Sequence, residues 1–293
     1  MKVLITGASG LIGTAVADRL RRDGDQVVTL VRRETALRTE FRWDPASGSI
    51  DDEALDGVDA VVNLSGASIA GRPWTSSYRE TLRASRTEST STLVRAMVEH
   101  AGERPRVLVS GSAVGFYGDT GDRVVDETAD RGAGFLADVV ADWEECARPA
   151  ADAGIRTGIV LSRAGGTLKL MLPVFKLGAG GRLGSGEQWM SWIALEDEVA
   201  AIRWLIDHDE LAGPFNLTAP GPATNAEFAK ALGKAVNRPT LFTVPGFALH
   251  TALHDMADET LLVSQRVLPG RLLESGFGFA HDHLDDALAA ALH

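Results

Sequence analysis

An apolar segment runs directly into a glycine-rich turn at residues 3–13, which read VLITGASGLIG. Residues 3–5 are all apolar and predict a buried β-strand. From residue 11 to residue 22, apolar side chains recur on one face at helical spacing, which predicts an α-helix. A strand, a tight turn and a helix in this order are typical of the first unit of a parallel α/β sheet.

The three glycines of this turn stand where a bound phosphate needs space along the backbone. Gly7 permits the tight turn, Gly10 lets the backbone approach a pyrophosphate, and Gly13 allows close packing of the helix on the sheet. The helix N-terminus offers free N–H groups and a partial positive charge, and Ser9 can bond a phosphate oxygen. Because glycines alone often only make turns, the prediction depends on the strand before them and the helix after them. Together these features predict a dinucleotide-binding site.

The rest of the first half alternates short apolar runs with amphipathic stretches. Predicted strands lie at residues 26–31, 60–63, 106–109 and 157–161, and predicted helices lie at residues 75–100 and 136–151. Because these strands are apolar almost throughout, they predict a parallel sheet that helices cover on both faces.

The pattern changes after residue 161. Glycines predict loops at residues 165–166 and 178–186. Predicted helices lie at 196–207 and 225–236, and between them a short predicted strand at 215–217 could return to the main sheet. The tail from residue 245 is predicted to be mainly helical. The predicted fold class is α/β, a Rossmann-like doubly wound parallel sheet with a smaller, mainly helical C-terminal part. The predicted domains are residues 1–165, which bind the dinucleotide, and residues 166–293, which form the substrate cleft and return some elements to the main sheet.

The composition disfavours several classes of protein. A formal net charge of −11 argues against binding to nucleic-acid phosphates. The apolar runs fall short of the roughly 20 residues of a membrane span. The single cysteine, Cys146, allows no intrachain disulfide. His250 and His254 have a spacing that can bind zinc, but a clear third metal ligand is lacking, so we expect no bound metal. Since the first strand begins at Lys2, we expect no leader segment and a cytoplasmic protein.

The residues after the second predicted strand bear on the choice of dinucleotide. NAD-binding sites place a carboxylate there, where it binds the ribose 2′-hydroxyl. This chain has Arg32 and Arg33, and Glu34 comes only after them. A guanidinium group suits a phosphate, and one charge-assisted hydrogen bond contributes roughly 1.5–3 kcal/mol. We therefore predict NADP(H) as the cofactor; the alternative is two solvent-exposed arginines with no ligand.

The chain resembles the short-chain dehydrogenase/reductase superfamily. The glycine turn and residues 63–67, NLSGA, are the basis of this resemblance. Further segments are similar to one atypical branch, the epimerase family proteins related to sugar-nucleotide epimerases. These segments are ASR at 84–86, SAVGFYG at 112–118, FLA at 135–137, DWE at 142–144, GSGEQ at 184–188, SWI at 191–193, ATNAEF at 223–228 and QRVLP at 265–269.

The resemblance implies a path for the cofactor across the carboxyl ends of the strands. Arg32 would hold the 2′-phosphate. Arg86, on the long predicted helix, would reach phosphate or ribose, and Val160 would line the nicotinamide pocket. The full set of implied cofactor contacts is Gly7, Ser9, Gly10, Leu11, Ile12, Gly13, Arg32, Arg33, Leu64, Ser65, Gly66, Arg86 and Val160.

The catalytic pair of an active short-chain dehydrogenase is missing from this chain. That pair is a tyrosine that transfers the proton and a lysine four residues later. Neither Tyr78 nor Tyr117 has a lysine at this spacing. If Glu144 marks the superfamily's usual acidic position, the apolar Leu136 and Val140 stand where the pair belongs. This departure puts ordinary carbonyl reduction and sugar epimerisation in doubt.

Two candidate catalytic residues remain, and two functions follow as hypotheses. Ser112 matches the superfamily's catalytic serine, or it is only a cap at a strand end. Tyr117 could donate a proton, or it only packs beside Gly118. The first hypothesis is an NADP-dependent oxidoreductase or epimerase-like enzyme acting on an unknown small-molecule substrate. The second is a sensor or regulatory protein that binds NADP(H) without turnover. A homodimer through the two long helices is expected only by analogy with related folds.

Overall fold

The computed structural model describes residues 1–100, 102, 105–150 and 153–292. Its strands are β1 (Lys2–Thr6), β2 (Gln26–Val31), β3 (Glu40–Asp44), β4 (Ser49–Ile50), β5 (Ala60–Asn63), β6 (Val107–Ala113), β7 (Val124–Val125), β8 (Ala153–Thr157), β9 (Ile159–Leu161), β10 (Gly181–Leu183), β11 (Trp189–Met190), β12 (Trp192–Ala194), β13 (Gly213–Leu217), β14 (Ala223–Thr224), β15 (Phe242–Val244) and β16 (Arg266–Val267). Its α-helices are α1 (Leu11–Arg22), α2 (Ser76–Glu99), α3 (Phe135–Ala147), α4 (Gly166–Lys176), α5 (Leu195–Asp207), α6 (Asn225–Ala235), α7 (Gly246–Leu253), α8 (Asp255–Thr260), α9 (Gly270–Glu274) and α10 (Leu284–Leu292).

One large sheet has the strand order β13-β8-β6-β5-β1-β2-β3-β4. Strand β1 lies inside this sheet and pairs in parallel with both β2 and β5. Strand β5 also pairs in parallel with β6, and β2 with β3, whereas β4 is antiparallel to β3. The predicted Rossmann-like parallel sheet is therefore confirmed, and the carboxyl ends of β1, β2, β5 and β6 meet at one edge.

Several elements of the first half end where their sequence predicts. Helix α1 spans residues 11–22, and α2 begins one residue after Thr75, whose Oγ1 accepts a hydrogen bond from the Tyr78 N–H at 3.2 Å. Such a side-chain cap satisfies one of the N–H groups that the first turn leaves without an intrahelical partner. Helix α3 ends at Ala147 and a 3₁₀ turn continues to Ala150; residue 151 of the predicted helix lies outside the described residues.

The predicted strand at 157–161 is wrong, because the chain forms two strands on either side of Gly158. Strand β8 ends at Thr157, and β9 begins at Ile159 and pairs in parallel with β12. The Gly158 N–H donates to the Leu217 carbonyl at 3.0 Å. A Cβ at this position would lie 2.6 Å from the Ser191 carbonyl oxygen. Gly158 therefore marks a close approach of two backbones that a continuous strand with a larger residue would not allow.

The predicted loops of the second half also need correction. Gly166, predicted to lie in a loop, begins α4, a helix that was not predicted and that contains Pro173. Residues 181–183 form β10, which pairs in parallel with β15. Strands β3 and β4, at residues 40–50, were likewise not predicted. The short strand predicted at 215–217 is confirmed, since β13 lies at the end of the large sheet.

Two compact units make up the chain, and each consists of three segments. The first unit contains Met1–Ser112, Val139–Ile155 and Val199–Pro214, and the second contains Ala113–Asp138, Arg156–Glu198 and Phe215–His293. The predicted boundary after residue 165 divides the chain once, into an N-terminal and a C-terminal part. In the structure, each unit contains segments from both sides of residue 165. The core of the first unit packs Leu4, Val61 and Leu108 against Leu93 and Met97 of α2.

The second unit has its own core and holds the mainly helical C-terminal part. Trp192 of β12 and Leu161 of β9 pack with Leu168 of α4, Phe228 of α6 and Leu288 of α10. Among the described residues, no helix is long and apolar enough to cross a membrane.

Candidate functional site

The glycine turn after β1 has a shape that side chains would prevent. Gly7 has φ +67°, and a Cβ there would lie 2.4 Å from the Leu64 carbonyl oxygen. A Cβ on Gly13 would lie 2.3 Å from the Gly7 carbonyl oxygen. The first glycine therefore brings β1 close to the end of β5, and the second allows α1 to start directly on the turn.

Helix α1 begins at the rim of this turn without a side-chain cap. Gly10 is its N-cap residue, and the Gly10 N–H donates to the Gly7 carbonyl at 2.9 Å. Thr14 Oγ1 donates to the Ala8 carbonyl at 3.0 Å and ties the first turn of the helix to the loop. The first turn contains no acidic residue. The N–H groups and the positive end of the helix dipole are therefore available to an anion.

A buried chain of hydrogen bonds fixes the carboxyl ends of β1 and β5 relative to two helices. Thr6 Oγ1 donates to Asn63 Oδ1 at 2.7 Å, and Asn63 Nδ2 donates to Thr90 Oγ1 of α2 at 2.8 Å. The Thr90 hydroxyl also accepts from Trp143 Nε1 of α3 at 2.9 Å. Because Thr6, Asn63 and Thr90 are buried, a break in this chain would leave a polar group without a partner.

A cavity of about 630 Å³ opens beside the glycine turn, within the first unit. Its lining comes from the turn, the ends of β2 and β3, the loop after β5 and one face of α2. The lining residues are Gly7, Ala8, Ser9, Gly10, Leu30, Val31, Arg32, Arg33, Trp43, Asp44, Pro45, Ala46, Leu64, Ser65, Gly66, Ala67, Thr81, Ser85, Glu88 and Ser89. A volume in this range is typical of small-molecule and cofactor sites.

Most of the predicted cofactor contacts line this cavity together. They are Gly7, Ser9, Gly10, Arg32, Arg33, Leu64, Ser65 and Gly66. Leu11, Ile12 and Gly13 lie in the first turn of α1, and Gly13 faces the backbone of Gly7. Val160 lies on β9 in the second unit, opposite Ile193 of β12.

The two consecutive arginines after β2 have different environments. Arg33 Nη1 and Nη2 donate to the two Glu40 carboxylate oxygens at 2.9 and 2.5 Å, and Arg33 Nη1 also donates to the Glu34 carbonyl. This pairing, together with the Ala36 N–H, lowers the pKa of Glu40 to about 2. Arg32 has no hydrogen bond or ion pair with any residue that the structure describes. Arg32 therefore offers its guanidinium to a ligand, and Arg33 is already paired.

Arg86 lies beneath the loop after β5 and is only 9% exposed. Its Nη1 donates to the Leu82 carbonyl at 2.9 Å and its Nη2 to the Ala67 carbonyl at 3.1 Å. The guanidinium also stands 5.2 Å from the ring centre of Trp143. Burial lowers the pKa of Arg86 to about 10, so the group is still charged at neutral pH. In this position Arg86 supports the backbone of the cavity wall.

Ser112, at the carboxyl end of β6, has a partner that sequence reasoning did not foresee. Its Oγ donates to Glu144 Oε1 of α3 at 2.6 Å, and Ser112 is 6% exposed. Leu136, Val140 and Glu144 follow one another at intervals of four residues on α3, so they share one face of the helix. This spacing was the available signal, since it places a carboxylate one turn beyond the missing lysine.

Tyr117 belongs to the second unit and is 2% exposed. Its hydroxyl donates to Asn216 Oδ1 at 2.7 Å and accepts from Arg156 Nη1 at 3.0 Å. Burial raises the pKa of Tyr117. These contacts favour the structural interpretation of Tyr117 over the role of a proton donor.

The parallel sheet, the strand–glycine turn–helix at its centre and the adjoining cavity define a dinucleotide-binding fold of the short-chain dehydrogenase type. A model of the NAD dependent epimerase/dehydratase family matches residues 3–134, and a domain of unknown function, DUF1731, matches residues 244–291. The chain is 49% identical to an epimerase family protein of Mycobacterium tuberculosis over 99% of this chain and 97% of that protein. It is 38% identical to the chloroplastic epimerase family protein SDR39U1 homolog of Arabidopsis thaliana, over 100% of this chain and 87% of that one.

A solved structure shares the whole fold with this chain. The crystal structure of human epimerase family protein SDR39U1 with NADPH has a TM-score of 0.92 and 31% identity, and the match covers 100% of both chains. The chain therefore belongs to the epimerase family, as its sequence motifs predict.

Proposed function

We propose that this chain binds NADP(H) in the cavity of its first unit, with the 2′-phosphate on Arg32. The observation that supports this most strongly is the position of Arg32, which lines the cavity without a partner among the described residues. The human relative whose structure was solved with NADPH has the same fold along its whole length. A 2′-phosphate would give the Arg32 guanidinium the charge-assisted partner that the chain itself does not supply.

The residues around the turn fit a dinucleotide. The space above Gly7 and Gly10 and the uncapped start of α1 suit a pyrophosphate, and Ser9 lines the same cavity. The loop formed by Leu64, Ser65 and Gly66 would flank the ribose and adenine side. A bound nicotinamide supplies a hydride donor or acceptor.

The reaction candidate is an oxidoreductase or epimerase-like step on a small molecule. Family membership supports it, and Ser112, at the carboxyl end of β6, matches the catalytic serine of the superfamily. The second candidate is a sensor that binds NADP(H) without turnover. Leu136 and Val140 favour this second candidate, because neither side chain transfers a proton.

Two experiments separate these possibilities. A thermal melt of the full chain with and without NADPH tests binding, since a ligand that binds only the folded state raises Tm. An unchanged Tm at millimolar NADPH would contradict the proposed site. Incubation with NADPH and a metabolite extract, followed by absorbance at the reduced nicotinamide band, tests turnover. Oxidation that Ser112→Ala slows supports the enzyme, and binding without oxidation across carbonyl and sugar-nucleotide panels supports the sensor.

A further inference from the structure

Helix α7, in the second unit, is apolar but contains no buried residue. Its eight residues read GFALHTAL, and none of them is buried by the part of the chain that the structure describes. The side chain of Phe247, near its start, is 77% exposed. A helix that is apolar on most sides is normally buried in a core. Helix α7 therefore presents apolar surface that the described residues leave uncovered.

A strip of exposed apolar side chains also runs along α4. Leu170 and Val174 lie on this helix and Leu177 is its C-cap residue. Their intervals of four and three residues place them on one face of the helix. They are 64%, 47% and 84% exposed, whereas the opposite face of α4 belongs to the core of the second unit.

Printed contacts connect the end of α4 to β15 and α7. Arg238 Nε donates to the Lys176 carbonyl at 3.0 Å, which ties the segment before β15 to the end of α4. Strand β15 pairs with β10, and the Gly184 N–H after β10 donates to the Val244 carbonyl at 2.8 Å. We call this surface the α4–β15–α7 face. Its apolar side chains, which are between 47% and 84% exposed, are Leu170, Val174, Leu177, Leu241, Phe242 and Phe247.

The charge of these segments is opposite to that of the whole chain. Residues 163–186 and 228–254, which contain α4, β10, β15 and α7, hold seven arginines and lysines and no aspartate or glutamate. Four of the five lysines of the chain are among them, although the formal net charge of the chain is −11. Glu227, just before the second segment, closes the capping box at the start of α6, the end of that helix away from Arg238.

Several of these cations are available to an external partner. Lys169, Lys176 and Lys230 are exposed and form no ion pair with any residue that the structure describes. Lys234 instead pairs with Asp285 of α10 at 2.5 Å. Charge complementarity therefore favours an anionic partner for the α4–β15–α7 face.

A bilayer with anionic lipids fits this face better than a second copy of the chain does. A symmetric dimer through the face would place the lysines of one copy against those of the other. At a bilayer surface, by contrast, apolar side chains enter the boundary between headgroups and acyl chains, while cations stay at the anionic headgroups. Helix α7 has eight residues, far fewer than a membrane span needs, so it would lie on such a surface.

We propose that the α4–β15–α7 face binds the surface of an anionic membrane. The face belongs to the second unit, whereas the cavity with the glycine turn belongs to the first. Membrane binding is therefore a further property of the chain and does not depend on the proposed NADP(H) binding.

Cosedimentation of the full chain with lipid vesicles tests the proposal. We expect binding to vesicles of phosphatidylcholine with phosphatidylglycerol, little binding to phosphatidylcholine alone, and weaker binding at high salt, which screens the charges. Lys169→Glu combined with Lys176→Glu should lower the partition coefficient at least about tenfold. Phe247→Ser should lower it about tenfold, because a large apolar side chain no longer enters the bilayer boundary.

The matched controls lie in the first unit. They are the double variant of two exposed arginines, Arg38→Glu with Arg72→Glu, and Leu37→Ser, which removes an apolar side chain that is 63% exposed. Equal losses in the controls, or equal binding to both kinds of vesicle, would overturn the proposal. Absence of binding at low salt would overturn it too and would leave an acidic protein as the favoured partner. A stable dimer that Phe247→Ser dissociates, seen by sedimentation equilibrium, would assign the face to a second copy instead.

Discussion

Arg32 and Arg33 are adjacent in the sequence, but only one of them is free to bind a phosphate. Glu40 takes both terminal nitrogens of Arg33 and also accepts the Ala36 N–H at 2.7 Å. These hydrogen bonds fix the conformation of the loop between Arg33 and Glu40. The family resemblance assigns the 2′-phosphate to Arg32. The pairing that occupies Arg33 could not be predicted from the sequence, because it depends on Glu40 of β3, seven residues further along the chain.

Arg32→Ala should remove the preference for NADPH. The 2′-phosphate would lose a charge-assisted hydrogen bond, so NADPH affinity should fall at least about tenfold while NADH affinity changes little. Arg38→Ala is the control, because Arg38 is an exposed arginine of the same loop that does not line the cavity. Fluorescence titration of each variant with both dinucleotides measures the effect. A preference for NADPH that survives Arg32→Ala would show that another residue binds the 2′-phosphate.

Glu198 is a second residue whose burial has a measurable consequence. It is 0% exposed, and Thr157 Oγ1 donates to its Oε1 at 2.8 Å. Its other oxygen has no hydrogen-bond partner among the described residues. Burial raises the pKa of Glu198 to about 8, against about 4.5 when unfolded. The unfolded state therefore ionises first, and this group's contribution to stability is complete below pH 4.5 and is lost as the pH rises towards 8.

Glu198→Gln should accordingly stabilise the protein at neutral and alkaline pH. The amide keeps an acceptor for Thr157 and avoids the cost of burying a charge. At pH 8 the gain in the free energy of unfolding should be on the order of a few kcal/mol, and it should disappear below about pH 4.5. Urea unfolding at several pH values measures it, with Glu210→Gln, an exposed acid, as the control. A gain that does not depend on pH would mean that Glu198 is not protonated in the folded state.

At the scale of single elements, the β1–turn–α1 unit is the part that the sequence predicts best. Its strand, its glycine positions and its helix bounds all follow from residues 3–22, because the strand, the turn and the helix are consecutive in the sequence. Other elements were missed for identifiable reasons. Helix α4 begins at the second of two consecutive glycines and contains Pro173, features that favour a loop, but its Leu168, Leu172 and Phe175 are buried in the second core. Tertiary packing outweighs local preference there.

Gly13→Ala tests the close approach of α1 to the turn. Its Cβ would lie 2.3 Å from the Gly7 carbonyl oxygen and 2.9 Å from Ala8 Cα, so the backbone must move. We expect a loss of about 1–3 kcal/mol in the free energy of unfolding, together with weaker NADPH binding. Chemical denaturation and NADPH titration measure the two effects. Gly278→Ala should be nearly neutral, because nothing lies within 4 Å of a Cβ there. Unchanged stability and binding in Gly13→Ala would refute the packing argument.

At the scale of the whole molecule, the sequence predicts the fold class and the family but not how the chain is divided. Each unit takes three segments, and the chain passes from one to the other inside helices and strands such as α3 and β13. No change in composition marks such crossings. The Ser112–Glu144 hydrogen bond is equally hard to predict from the sequence, because the two residues are 32 positions apart, one on a strand and the other on a helix. Spacing along α3 identifies the face that Glu144 shares with Leu136 and Val140, but only the packing of α3 on the sheet gives it Ser112 as a partner.

Function, too, is easier to predict where the residues involved are close together in the sequence. The glycine turn and Arg32 lie close together in the sequence and point to a cofactor, whereas the reacting end depends on residues brought from distant segments. Cofactor binding is therefore the central claim for this molecule, and the reaction depends on it. Calorimetric titration of the full chain with NADPH and with NADH, at one salt concentration, tests this claim most directly. We predict that NADPH binds at least about tenfold more tightly than NADH; equal affinities, or tighter binding of NADH, would contradict the assignment of Arg32 to the 2′-phosphate.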